Sequence, residues 1–454
     1  MELLYKKENG FDVRKEDYIE KAYEYSEGYK SFLNTSKTER QAVTTSEKIA
    51  LAHGFEKYDA LKEYKSGDKF YKINRDKSII FVRMGKKDIS EGVNLAVAHI
   101  DCPRLDLKPC PLYESSDMVF FKTHYYGGIK KYQWVTIPLA LHGVIMKKDG
   151  TRVEVCVGED DNDPVFHITD LLPHLSQDQM KKTLSDAIPA ESLNVLVGSR
   201  KDDEEKDAVK LFALKLLNEK YGIVEEDFLS SELSFVPAGK ARDMGFDRSF
   251  IVSYGHDDRV CAYPALTAIV DTVPERCAVV CLTDKEETGS DGNTGLHSSY
   301  LFDFISALAR KCGAEPYDVF ERSACLSADV SAAYDPNFAE VYEKNNASLV
   351  NCGTVLVKYT GARGKSGTSD ASAEFVSKIR QVFNKNEVLW QMSELGKVDV
   401  GGGGTVAKYV ANHNIDTIDL GVPVLSMHAP MEVVAKLDVY ETYKALCAFF
   451  GDLI

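Results

Sequence analysis

Apolar positions follow two rhythms along this chain. Between residues 14 and 65 the period is helical, with Tyr18, Ala22, Tyr25 and Tyr29 three or four apart inside Glu16 to Phe32. Thr45 and Ser46 ahead of Glu47 read as a second helix start, and Gly54 as a stop. The pattern then shortens into strand-like runs at Lys69 to Asn74, Ser78 to Arg83 and Leu95 to His99. From Leu105 to about Gly245 short strand candidates dominate, with turns at Tyr126 to Gly128, Lys148 to Gly150 and Asp160 to Pro164. A charge run, Arg200 to Asp207, reads there as a solvated loop entering a helix over Ala208 to Tyr221. Beyond it strands and helices alternate. A helix reaches about Val270, and Cys277 to Leu282 reads as a buried strand. A helix spans Ser298 to Cys312, a small apolar run ends at Asp329, and Val350 to Lys358 reads as a strand. Helices follow at Ala371 to Phe383 and Thr405 to Ala411, then an apolar stretch Asp416 to Leu425 and a last helix Asp438 to Asp452. Alternating strands and helices predict an α/β fold, with the strand-rich block as an insertion.

Composition narrows the picture. The chain has 454 residues, more than one simple core holds, so two domains or a domain with an insertion are expected. Apolar content is 44% and charged content 28%, which is ordinary for a globular protein. The net charge is −15 and no long basic block occurs, so nucleic acid is not an expected partner. The ten cysteines lack paired CxxC spacing and read as reduced, in a cytoplasmic protein. The first residues carry no secretory signal and no apolar run is long enough to span a membrane, so no membrane partner is expected.

Chemistry enters at the strand ends. After Cys277 to Leu282 come Glu286 and Glu287, then Thr288, Gly289 and Ser290. In an extended segment neighbouring side chains point to opposite sides, so one glutamate could hold a cation while the other faces a substrate. Alone, such a pair reads as an acidic loop. Leu95 to Asp101 ends in His99 and Asp101, where the aspartate can orient the histidine. Asp257 and Asp258 precede a helix, and two aspartates exceed what a helix cap requires. Cys325 to Asp329 ends in a carboxylate, and Leu425 leads to His428. Gly401 to Gly404 lacks the Lys-Ser/Thr of a phosphate loop, so close backbone approach is its expected use. Five segments thus place His99, Asp257, Glu287, Asp329 and His428 at strand ends or a helix start, where ligands of open α/β sheets gather. Two histidines and three carboxylates exceed the needs of one four-coordinate catalytic zinc. They suit two zinc-like ions about 3.5–4 Å apart with a shared carboxylate, leaving Glu286 as general base.

At these residues the chain resembles the M18 family of metalloaminopeptidases, the aspartyl aminopeptidase family. The matching stretches are His99 to Pro103 with Lys108 and Pro109, Tyr126 to Gly128, Asp257 to Cys261, Glu286 to Ser290, Ser327 to Asp329 and Leu425 to His428. The resemblance implies a three-layer α/β/α metallopeptidase domain over 1–104 and 246–454, with a dimerisation domain inserted at 105–245. It implies two divalent ions per chain, zinc with cobalt or manganese as alternatives. His99 and Asp329 would hold one, Glu287 and His428 the other, and Asp257 would bridge them. Asp101 would orient His99, and Glu286 would be the base toward the attacking water. His167, in Pro164 to His167, resembles a segment that reaches a neighbouring subunit's active site, and Lys358 lies where acid-preferring members bind substrate. The implied activity removes the N-terminal residue of short peptides with a free amino terminus, in dimers assembled into a dodecamer. A deacylase or carboxypeptidase of the same fold, or a non-catalytic shell-forming protein, are the rival readings.

Overall fold

The computed structural model of the chain describes residues 3–203 and 206–453, so Glu204 and Glu205 of the charge run lie outside the described residues. Packing divides the chain into two units. One comprises the described residues of Met1–Asp101, Ala241–Met427 and Glu432–Ile454, and the other Cys102–Lys240 and His428–Met431.

The first unit is built on a nine-stranded sheet. In spatial order its strands are Glu56–Lys57, Lys69–Asn74, Ser78–Arg83, Cys277–Thr283, Val93–His99, Ala324–Ala328, Asp416–Gly421, Thr354–Val357 and Trp390–Met392. The four from Cys277–Thr283 to Asp416–Gly421 are parallel neighbours, flanked by antiparallel pairings on both sides. Parallel strands must be covered on both faces, which is why these are nearly continuous runs of small and β-branched residues. Alternate residues feed two cores. Ala96, Ala98, Val280 and Leu282 pack with the helices Glu16–Thr35, Glu39–Ala52, His256–Asp271, Ala373–Lys385 and Lys436–Asp452. Leu95, Val97, Val279 and Cys281 pack with Tyr300–Lys311 and Pro316–Glu321 on the other side. The result is three layers, α/β/α. A five-stranded sheet, Arg242–Met244, Phe250–Ser253, Glu432–Ala435, Pro423–Leu425 and Ser331–Ala332, completes this unit.

The second helix starts earlier than the hydroxyl pair Thr45 and Ser46 suggested. Thr38 accepts the Gln41 N–H at 3.3 Å while the Gln41 side chain accepts the Thr38 N–H at 3.2 Å. This reciprocal box satisfies two orphan donors at once, so the helix begins at Glu39 and Thr45 and Ser46 fall inside it.

The second unit holds a six-stranded antiparallel sheet, in the order Arg152–Val157, Leu139–Met146, Ser231–Pro237, Arg104–Ser115, Met118–Tyr126 and Val195–Gly198. Its helix Ala208–Tyr221 starts where the Glu114 carboxylate accepts the Val209 and Lys210 N–H groups, each at 2.9 Å. A negative charge there completes the helix dipole. The helix stops at Gly222, which takes the left-handed φ of +67° and donates to the Asn218 carbonyl.

Gly421 ends the strand beside Asp329, and a Cβ at this position would collide with the Asp329 carbonyl oxygen. Gly421→Ala is therefore expected to destabilise the first unit by roughly 1–3 kcal/mol, as overpacking does. Denaturant unfolding measures this, and an unchanged midpoint would show that the strands part at Asp329 without loss.

Candidate functional site

The parallel strands of the first unit end together, and the candidate residues lie at their ends. His99 closes the strand Val93–His99 and pairs with Thr283 of its neighbour. Asp329 follows Ala324–Ala328, its N–H donating to the Leu420 carbonyl at 3.0 Å. Asp257 lies in the first turn of His256–Asp271 with non-helical φ and ψ of −81° and 107°. Its N–H donates to the Glu432 carboxylate at 3.2 Å.

Glu286 and Glu287 do not alternate along an extended segment. They occupy a 3₁₀ turn, Glu286–Thr288, bracketed by the left-handed residues Lys285 and Gly289. Three residues per turn set successive side chains about a third of a turn apart. Asp101 accounts for the turn. Its carboxylate accepts the Glu286 N–H at 3.1 Å and the Glu287 N–H at 3.2 Å, donors that the start of a helical turn leaves without a partner.

The same aspartate sets the state of His99. The His99 Nδ1 lies 3.0 Å from the Asp101 carbonyl oxygen and 3.3 Å from its carboxylate. Both are acceptors, so Nδ1 carries the proton and Nε2 is turned toward the other carboxylates. Nε2 lies 3.0 Å from Asp257 Oδ1 and 3.9 Å from both Asp329 Oδ1 and Glu286 Oε2. Burial alone would lower the imidazole pKa, but Asp101 and Asp257 outweigh it and hold it well above the ordinary value. Burial, then the neighbouring charges of Glu286 and Asp258, push the Asp329 carboxyl well above the carboxylate range. Burial does the same to Asp258. Without a cation this cluster favours extra protons.

The donor set fits a metal ion. His99, Asp257 and Asp329 each offer a ligand atom, all within 4.8 Å of one another. Ligand distances of about 2.0–2.2 Å around a tetrahedral zinc put donors roughly 3.3–3.6 Å apart, and the separations of 3.0 and 3.9 Å from Nε2 bracket that value. Asp257 and Glu287 also offer oxygens within 4.8 Å of each other, so Asp257 borders a second carboxylate site.

The remaining expected residues lie on other segments. His428 opens the stretch His428–Met431 that groups with the second unit. Its Nδ1 is 2.8 Å from the Gly128 carbonyl, so Nδ1 donates and Nε2 keeps its lone pair. His167 is exposed in the second unit, its carbonyl accepting the Leu196 N–H at 2.9 Å. Lys358 follows the strand Thr354–Val357, and its ammonium lies 3.5 Å from Asp370, which Lys365 also engages at 2.8 Å.

Three supporting residues were not singled out from the sequence. Glu432, a buried charge opening an apolar strand, holds the Asp257 backbone. Arg259 is buried and donates to the Lys37 and Ile100 carbonyls, each at 3.2 Å, so it braces the peptide between His99 and Asp101. Tyr29 donates to His256 Nδ1 at 2.7 Å, because His256 Nε2, 3.2 Å from the Ile251 carbonyl, must carry the ring proton. Burial pushes the His256 imidazole down to about 3 and keeps it neutral. Of the three, only Glu432 has a signal in the sequence, as a lone carboxylate ahead of the apolar run Val433 to Ala435.

Known proteins are similar to this chain in sequence and in fold. The family described as aminopeptidase I zinc metalloprotease (M18) matches residues 32–450. The probable M18 family aminopeptidase 1 of Clostridium acetobutylicum is 47% identical, over 99% of this chain and 99% of that one. The crystal structure of an M18 family aminopeptidase from Thermotoga maritima aligns with a TM-score of 0.96 at 44% identity, over 99% of this chain and 100% of that one. The yeast mApe1 dodecamer has the same fold, with a TM-score of 0.76 at 21% identity, over 94% of this chain and 96% of that one. The chain belongs to the M18 family of aminopeptidases and is a hydrolase of peptide bonds.

Proposed function

We propose that this aminopeptidase removes the N-terminal residue of short peptides with two divalent ions, zinc or in its place cobalt or manganese. His99 and Asp329 would hold one ion, Glu287 and His428 the other, and Asp257 would belong to both. The observation that carries this reading is His99, whose Nδ1 is committed to Asp101 while Nε2 faces Asp257 at 3.0 Å. When bound, the ion pair would supply Lewis-acid polarisation of the scissile carbonyl and acidify the attacking water toward a pKa of about 7.

The chain's own residues would do the rest. Asp101 orients His99 and sets the Glu286–Thr288 turn through two backbone bonds. Glu286, 3.9 Å from His99 Nε2, would take the proton of the attacking water and return it to the leaving amine. Neighbouring carboxylates would receive the free α-amino group of the peptide.

We read the first unit as the catalytic domain and the second as an inserted dimerisation domain, in dimers assembled into a dodecamer. Two things support a covered surface. Val165, Leu171, Leu172, Leu175, Met180 and Leu184 of the second unit are each at least half exposed, more apolar side chain than a free surface usually shows in one segment. The yeast mApe1 neighbour is a dodecamer. All ten cysteines are free, which accords with a cytoplasmic enzyme. Among the described residues no helix is long and apolar enough to cross a membrane.

Glu286→Gln is expected to keep both ions and bind free-amino peptides normally, yet lose at least about 10²–10⁴-fold in kcat. Glu287→Gln should lose metal first and activity as a consequence. Metal content, inhibitor affinity and kcat on both variants decide the matter, and metal loss in Glu286→Gln alone would swap the two roles. Asp257→Ala should lose both ions by elemental analysis, and a fully occupied pair in that variant would refute the shared ligand. For the oligomer, mixing His167→Ala chains with Glu286→Gln chains should restore part of the activity. Absence of rescue, with subunit exchange shown independently, would exclude His167 from a partner's site.

A further inference from the structure

The turn that carries Glu286 and Glu287 is fastened at both ends, by different residues. At its amino end Asp101 accepts both backbone N–H groups. At its carboxyl end Gly289 donates to the Glu286 carbonyl at 2.9 Å, and the Gly289 carbonyl in turn accepts the Tyr409 hydroxyl at 2.9 Å. Tyr409 stands on the short helix Ala407–Ala411, which follows the glycine loop Gly401 to Gly404. Its ring is itself held in place. The centroid lies 4.7 Å from that of His297, and His297 Nδ1 is 2.7 Å from Asp291 Oδ1.

The turn needs such a fastening. Lys285 and Ser290, on either side of it, hold left-handed φ angles of +73° and +62°, a region that residues with side chains seldom adopt. A turn bounded by such residues relaxes when one end is released. The two glutamates do not depend on it equally. A metal ligand is restrained by its ion as well as by the turn, whereas a general base carries no ion and follows the backbone beneath it more closely.

We propose that Tyr409 is a positioning residue for Glu286, acting through the Gly289 carbonyl, an inference that rests on the general-base reading of Glu286. It touches the backbone of the turn and sets where the base stands when the peptide is bound.

Tyr409→Phe in the metal-loaded enzyme removes the hydroxyl and leaves the ring against His297. Losing one hydrogen bond of ordinary strength corresponds to about a three- to tenfold effect. The expected result is that fall in kcat, with KM, metal content and melting temperature unchanged. Amide exchange in the peptide covering residues 286–290 should accelerate by a similar factor. Tyr71→Phe removes a comparable hydroxyl contact, to Glu47 at 2.7 Å, and should leave kcat at the wild-type value. Glu286→Gln measured alongside separates the two readings. Wild-type turnover in Glu286→Gln would refute the general base itself. An inactive Glu286→Gln beside a Tyr409→Phe enzyme with wild-type kcat and exchange would overturn the positioning role alone. A fall in kcat accompanied by metal loss or a lowered melting temperature would also overturn it, since Tyr409 would then serve the ligands or the fold.

Discussion

One buried carboxylate organises the site. Asp101 accepts from His99 on one side and from the backbone of Glu286 and Glu287 on the other. These partners meet because Val93–His99 and Cys277–Thr283 are parallel neighbours with His99 opposite Thr283. A shift of that register by one residue would turn every side chain of the strand to the other face. The register is held by apolar packing on both sides, Ala98 and Leu282 into one core and Val97 and Cys281 into the other. The chemistry is therefore positioned by residues that have none of their own. Several hydrogen bonds converge on the Asp101 carboxylate, which is why it can serve as a fixed point at full burial.

The rest of the cluster shows the opposite electrostatics. Asp258 and Asp329 are pushed toward protonation by burial and by negative neighbours, and His99 is drawn toward its cation. A fold that gathers several carboxylates around one buried imidazole has built a demand for positive charge. Protons meet that demand weakly. A divalent ion meets it with the ligand types present, neutral imidazole and carboxylate oxygen. The surrounding polar groups keep the donors aimed. Glu432 holds the Asp257 backbone, Arg259 holds the Ile100 carbonyl, and Tyr29 engages Nδ1 of His256, which burial keeps neutral. Such supporting contacts fix the orientation of ligands, and loosening them weakens a metal site as surely as losing a ligand does.

The amino-acid sequence by itself determined the α/β alternation, the central strands and a set of candidate site residues, several of which the fold brings together. Runs such as Cys277 to Leu282 are legible because a strand covered on both faces must be apolar along its whole length. His99, Asp257, Glu286, Glu287 and Asp329 were legible because each interrupts or ends such a pattern with a group that is costly to bury. The helix over Ala208 to Tyr221 was legible behind the charge run that leads into it. What only the tertiary structure decided are the interactions between segments distant in the chain. The start of the second helix, by contrast, is set locally at Thr38, where a reciprocal bond with Gln41 three positions on outcompetes a simple hydroxyl cap. The geometry of Glu286 and Glu287 became a 3₁₀ turn, since Asp101, 185 and 186 positions away, takes their N–H groups. The contacts of Glu432, Arg259, Tyr29 and Tyr409 likewise depend on partner atoms brought together by folding. Local periodicity records which face of an element is buried, and it holds no information about which distant carbonyl or amide a polar side chain will meet there.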